Sequence, residues 1–177
     1  MNNPDPETSC EYMEDAVGMT PGYNGWKNEP IIDSIKPCIL TDGGEFVGYS
    51  LDKEDMSKGY SSTFATEPEF RTDYMIEFPL MGYKLWNDDS YQYVSVTDDP
   101  NAEDKGYCYY AHSLNTEKDC DKIYIGAFLG YVDGLILYSD KDKIPTANTS
   151  LIDFRTYAAS YSGEGYSLIS FYPWTLL

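Results

Sequence analysis

The sequence predicts an α+β fold, with antiparallel hairpins followed by one late amphipathic helix. Three observations carry this expectation. Short segments rich in β-branched and aromatic residues are separated by strong turn signals: Thr41-Asp42-Gly43-Gly44, Asn87-Asp88-Asp89-Ser90 and Asp133-Gly134. One stretch near the end, Leu151–Tyr161, switches to helical spacing. No repeat or low-complexity tract interrupts the pattern, and 177 residues suffice for a domain with its own core.

Taken in order, residues 1–30 are polar and Pro/Gly-containing, and Met19–Trp26 (MTPGYNGW) reads as turns, so this stretch is expected as a flexible arm or connector. A β-rich region is expected over 31–122. In it, Ile35–Leu40 and Glu45–Leu51 flank the first turn as a hairpin, and Lys53–Arg71 is polar and irregular. Tyr74–Leu80 is strand-like, with Pro79 marking its end or an edge position. Tyr83–Trp86 and Tyr91–Val96 form the second hairpin, Asp98–Lys105 a loop, and Tyr107–His112 a further strand. A last region, 123–177, opens with Ile123–Tyr131 paired to Leu135–Tyr138. The helix follows: Asn148, Thr149 and Ser150 offer N-caps, and Asp153 completes a capping-box variant three residues after Ser150. Leu151, Phe154, Tyr157, Ala158 and Tyr161 form its apolar face, and Gly163 and Gly165 supply the stop.

Twelve basic residues against 30 acidic ones give a net charge of -18. Such a chain repels phosphate, which argues against nucleic-acid binding and against adhesion to anionic membranes. No apolar run reaches the ~18 residues that span a bilayer, and Met1–Asp15 has neither the basic start nor the apolar region of a secretory signal. Cys10, Cys38, Cys108 and Cys120 are too few and too scattered for a disulfide framework and read as reduced thiols; a Cys108–Cys120 bridge across a loop is the one pairing left open. Tyrosine is abundant at 18 residues, which suits strands and exposed recognition surfaces.

Several phrases follow one another in a definite order: Lys36–Gly43 (KPCILTDG), Tyr74–Trp86 (YMIEFPLMGYKLW), Val94–Asn101 (VSVTDDPN), Tyr107–Ser113 (YCYYAHS), Tyr124–Phe128 (YIGAF), Leu137–Ala158, Gly163–Tyr166 (GEGY) and Phe171–Leu177 (FYPWTLL). In this order the chain resembles phage and prophage tail-fibre or minor structural proteins of gut bacteria, over roughly Ile31 to Leu177. The C-terminal region of those proteins resembles the C-type-lectin-like fold, shared with formylglycine-generating enzymes. The resemblance implies that 123–177 begins such a domain and that Phe171–Leu177 opens a helix which the family continues. The chain is therefore expected to be the front part of a domain, incomplete at its C-terminus. The family often has a basic residue where Leu80 stands here.

Catalytic constellations find little support in the residues. His112 is the sole histidine; it lies in an aromatic segment, is paired with no serine in sequence, and no G-x-S-x-G occurs. Cys108, His112 and Cys120, with Cys38 as a distant fourth, lack the spacing of a structural zinc site. No cysteine follows Cys120, so the oxidation chemistry of formylglycine-generating enzymes is missing. Gly126 and Gly130 have no following helix to make a nucleotide loop. Calcium is the weaker reading of the acidic doublets (Asp88/Asp89, Asp98/Asp99, Asp119/Asp121, Asp140/Asp142), with Asp98, Asp99 and Asp104 its best-placed ligands. The expectation is thus a non-enzyme without a cofactor: a tail-associated structural or receptor-binding protein of the virion. It would adhere to a host-surface glycan or protein beside other tail proteins, with a homotrimer as one assembly that fibre proteins allow. The alternative is a bacterial surface or secreted ligand-binding protein on the same scaffold.

Overall fold

The computed structural model describes residues 11–13, 16–20, 23–41, 45–50, 52–53, 72–113, 120–160 and 167–168. The expectations for Asp42–Gly44, most of Lys53–Arg71, Asp119, Tyr161, Gly163, Gly165 and Phe171–Leu177 lie outside these residues. The chain divides into two compact units, Met1–Ser34 and Ile35–Leu177. In the first, the described residues include the helical turns α1 (Tyr23–Trp26) and α2 (Pro30–Asp33). Pro30 opens α2, where its fixed φ and missing N–H cost nothing. The rings of Tyr12 and Trp26 meet edge-on at 5.4 Å, so ordered contacts occur within the stretch expected as an arm.

The second unit is mostly antiparallel β-structure with a few short helices, an α+β arrangement. Its centre is a four-stranded sheet in the order β2-β1-β3-β6: β1 (Lys36–Thr41), β2 (Phe46–Tyr49), β3 (Thr72–Pro79) and β6 (Lys122–Gly126). β1 and β2 form the hairpin expected around the Asp-Gly turn; the Thr41 N–H donates to the Glu45 carbonyl at 2.8 Å. Their register slips between Ile39 and Leu40, a bulge that accommodates Val47 as an extra residue. β1 lies between two partners, and Pro37, Cys38, Ile39 and Leu40 are all buried, as a strand covered on both faces requires. Alternation sends Cys38 and Leu40 to one face with Met75, Tyr49 and Tyr124. Ile39 goes to the other face with Tyr74, Val47, Ala127 and Phe128. Each fully buried side chain of this size contributes about 1.5–3 kcal/mol.

Among the described residues two separate ribbons accompany this sheet. β4 (Gly82–Asn87) pairs with β5 (Gln92–Thr97), as the Asn-Asp-Asp-Ser signal predicts. Asp88 closes the turn: its Oδ1 accepts the N–H groups of Ser90 and Tyr91, and its own N–H donates to the Tyr91 carbonyl. β7 (Gly130–Asp133) pairs with β8 (Ile136–Ser139) through the two-residue turn Gly134-Leu135, both at positive φ (58° and 73°). That is the type I′ geometry whose twist matches a hairpin, with a leucine where glycine or asparagine is usual.

Three expectations need correction. Ile123–Tyr131 is not one strand. It breaks at Ala127–Leu129, so β6 joins β3 while β7 turns back on β8. The break places Phe128 edge-on against Tyr74 (5.8 Å), and Ser139 Oγ fastens it by accepting the Phe128 N–H and donating to the Tyr74 carbonyl. Tyr107–His112 is likewise not a strand: Cys108 makes a single bridge to Tyr83, and Tyr110–His112 coils into a 3-10 turn. Tyr109 anchors this bend, with its ring against Gly82 and its hydroxyl bonded to the Asp99 carbonyl and the Ala102 N–H. The helix α3 runs over Leu151–Ala159, and Ser150 caps it by accepting the Asp153 N–H at 3.1 Å. Its contact is with β8 through a narrower face than expected: Ala158 is buried, Phe154 and Tyr157 are half-buried, and Leu151 is exposed.

Candidate functional site

The most distinctive surface lies on the β4–β5 ribbon. Because side chains alternate along each strand, cross-strand neighbours Trp86 and Tyr93, and Lys84 and Ser95, share one face. The Trp86 and Tyr93 rings stack nearly parallel (6°) with centroids 5.0 Å apart, and Tyr91 tilts against Tyr93 at 6.2 Å. Lys84 Nζ sits 5.1 Å over the Trp86 ring and 6.0 Å from the Tyr107 ring, and donates to the Lys105 carbonyl at 2.9 Å. Hydroxyls line the same face: Ser95 Oγ and Tyr107 OH lie 2.6 Å apart, and Tyr93 OH donates to Asp88 Oδ2 at 2.7 Å. That bond and the two turn amides hold the Asp88 carboxyl below the usual carboxylate range. Trp86 remains 42% exposed. A cation, a stacked indole–phenol pair and a rim of fixed hydroxyls thus lie in a row at the surface. The signal was present in the sequence as the alternation Lys84, Trp86 and Tyr93, Ser95, but register was needed to align the two strands.

A second polar cluster lies on the central sheet and was not anticipated. Glu77, within the apolar run Tyr74–Phe78 of β3, has a side chain only 8% exposed. Its Oε1 accepts from Tyr49 OH at 2.8 Å and its Oε2 from Lys122 Nζ at 3.0 Å; Tyr124 OH is a further donor. Burial pushes the carboxyl up, and the three donors together outweigh it, leaving the pKa lowered. Tyr124 is pushed up to about 12 by burial and by donating to Glu77. The Cys38 thiol below is also raised to about 12, by burial first and then by the Glu77 charge. A thiol so protonated is a poor nucleophile. The arrangement is a satisfied ionic tie joining β2, β3 and β6.

The residues considered for chemistry are placed as follows. His112 is 1% exposed, and its Nε2 accepts the Met81 N–H at 3.2 Å. That bond requires a neutral ring, and burial lowers its pKa. Cys120 neighbours it through the backbone, donating its N–H to the His112 carbonyl at 3.2 Å, whereas Cys108 is held opposite Tyr83. Cys38, Cys108 and Cys120 are free thiols. Among the described residues no three His, Cys, Asp or Glu side chains converge as metal ligands. Of the calcium candidates, Asp99 is occupied: Oδ2 pairs with Lys105 Nζ at 3.2 Å and Oδ1 accepts the Asn101 N–H at 2.9 Å. Among the described residues no helix is long and apolar enough to cross a membrane. In comparison with known proteins, the chain matches no family model, no curated protein and no solved structure.

Proposed function

We propose that this chain is a phage tail-associated protein that adheres non-covalently to a host surface through the aromatic face of the β4–β5 ribbon. The observation that supports the reading is the row Lys84–Trp86–Tyr93–Tyr91, with Trp86 and Tyr91 exposed, Lys84 and Tyr93 half-buried, and the whole held in place by stacking and by the Asp88 bonds. Aromatic planes with polar tips present large contact area to a sugar ring or a peptide. Groups already fixed lose little freedom on binding. The ordered phrases from Lys36 to Leu177 support the same class, and with it a C-type-lectin-like domain as the finer description of the fold.

The test is adhesion of the labelled whole chain to a panel of gut bacterial cells and to their extracted surface glycans. Binding to some of these, weakened about tenfold or more by Trp86→Ala, is the expected result, an aromatic anchor being worth 1.4 kcal/mol or more. Adhesion unchanged by Trp86→Ala, or none across the panel, would reject the reading.

A further inference from the structure

The β4–β5 ribbon has a second property, independent of its aromatic face. A two-stranded hairpin alone is marginal in water and gains stability from a third strand. Here the outer edge of β4 is engaged, since Tyr83 exchanges both backbone bonds with Cys108 (3.0 and 2.9 Å). The outer edge of β5 carries no strand among the described residues. On the face opposite the aromatic row, Leu85, Val94 and Val96 are 55%, 71% and 44% exposed.

The hydrogen-bond phase of the ribbon determines which groups point outward. Asp88 bonds Tyr91 across the turn, so the pairs Trp86↔Tyr93, Lys84↔Ser95 and Gly82↔Thr97 are the bonded ones. Tyr83 turns its backbone away from β5 toward Cys108, which is the same phase. Gln92, Val94 and Val96 therefore present their N–H and C=O groups to the open edge. Natural edge strands are guarded by lysine, proline, inward charge or bulges. Gln92–Thr97 (QYVSVT) has none of these and no charge, in a chain where 24% of residues are charged.

We propose that the outer edge of β5 pairs antiparallel with β5 of a second copy, about a two-fold axis at Ser95, giving a continuous four-stranded sheet. Three features favour a second copy as the occupant. About Ser95 the strand is self-complementary: Val94 faces Val96 of the second copy and Tyr93 faces its Thr97, so each face keeps its character. The same register brings outward-pointing backbone groups together at both Val94–Val96 pairs and joins the two Leu85–Val94–Val96 strips. Charge is also compatible, because Asp98 falls opposite Gln92 and Asp99 opposite Tyr91, so no two carboxylates face each other. Two chains of net charge -18 can approach closely only along such an uncharged stretch, and their residual repulsion is screened by salt.

Sedimentation of the whole chain across the micromolar range tests this. A monomer–dimer equilibrium that tightens with added salt is expected. Val94→Pro removes an outward N–H without touching the β4 ladder and should weaken the dimer about tenfold or more; near-UV dichroism of the Trp86–Tyr93 stack checks that the ribbon is intact. Ser95→Cys is the second variant. The two position-95 residues would form a non-bonded pair about 4.5 Å apart at Cα, within disulfide range. Mild oxidation should therefore give a mapped 95–95 cross-link, whereas Thr97→Cys, out of reach of its counterpart, should not. A chain monomeric throughout, a trimer, or a dimer that lacks the 95–95 cross-link would overturn the proposal. So would pairing only with a strand from another protein.

Discussion

Glu77→Gln removes one charge from the centre of the sheet while keeping the size of the side chain. In the folded protein Glu77 accepts from Tyr49 OH and Lys122 Nζ, with Tyr124 OH as a further donor. Hydrogen bonds to a charged group contribute about 1.5–3 kcal/mol and neutral ones about 0.5–1.5, so the two phenol bonds together lose about 2 kcal/mol. The Lys122 end is half exposed and adds less than about 1 kcal/mol. Relief of the carboxylate's desolvation offsets part of this, leaving a net loss of about 1–3 kcal/mol at neutral pH. Urea unfolding followed by tryptophan fluorescence would measure it. The pH dependence identifies the cause. Glu77 has a lowered folded pKa, so its contribution is present above the unfolded value of about 4.3 and fades as pH falls through the folded value. Lys122 is raised, and Tyr124 is raised to about 12; their contributions are present below their unfolded values and fade at alkaline pH. The gap between parent and variant should be flat from about pH 6 to 9 and should close below about pH 4. A gap under about 0.5 kcal/mol at neutral pH, or one that persists in acid, would refute the reasoning.

Gly82→Ala should destabilise by about 1–3 kcal/mol, read from the urea midpoint. Its Cβ would sit 2.8 Å from the Tyr109 ring, which the Asp99 carbonyl and Ala102 N–H prevent from retreating. Leu135→Gly should stabilise by about 0.5–1 kcal/mol, because it relieves a leucine at φ 73° in the type I′ turn; a lower melting temperature would contradict this. Burial should make His112 titrate below the ordinary histidine value of about 6.5 in the folded protein. Its folded pKa is lowered, so the unfolded chain takes up the proton first and stability falls as pH drops below about 6.5. Proton NMR of the imidazole would show a titration at or above pH 6.5 if this were wrong.

Local chemistry made the local elements legible. The Asp-Gly and Asn-Asp-Asp-Ser turns located β1–β2 and β4–β5, and the Ser150/Asp153 pair located the start of α3. Residues far apart in sequence decided the rest. β3 reads as a strand from Tyr74–Leu80, but nothing in that phrase announces β1 and β6 as its neighbours. The same holds for Ile123–Tyr131, where a continuous apolar pattern hides the bend that lets Phe128 reach Tyr74. Tyr107–His112 has strand-like composition, yet the anchoring of Tyr109 and the burial of His112 override that preference. At the surface, abundant tyrosine suggested recognition, and only the pairing register put Trp86 on Tyr93. Glu77 was readable in one respect: an acid inside YMIEFPL needs buried donors, although the sequence does not say which strands supply them.

The position of Glu77 also bears on the order in which the chain assembles. Its donors come from β2 and from β6, the two outer strands of the sheet, at positions 28 and 45 residues away from it in sequence. Hairpins such as β1–β2 form within microseconds, whereas bringing β3 to β1 and β6 to β3 requires closing long loops. The carboxylate is fully satisfied only once both outer strands are in place. Substitution of Glu77 should speed unfolding and leave the refolding rate nearly unchanged, the signature of a late-forming contact. That outcome would make the charge at the centre of the sheet a latch on the finished structure, with no part in its nucleus.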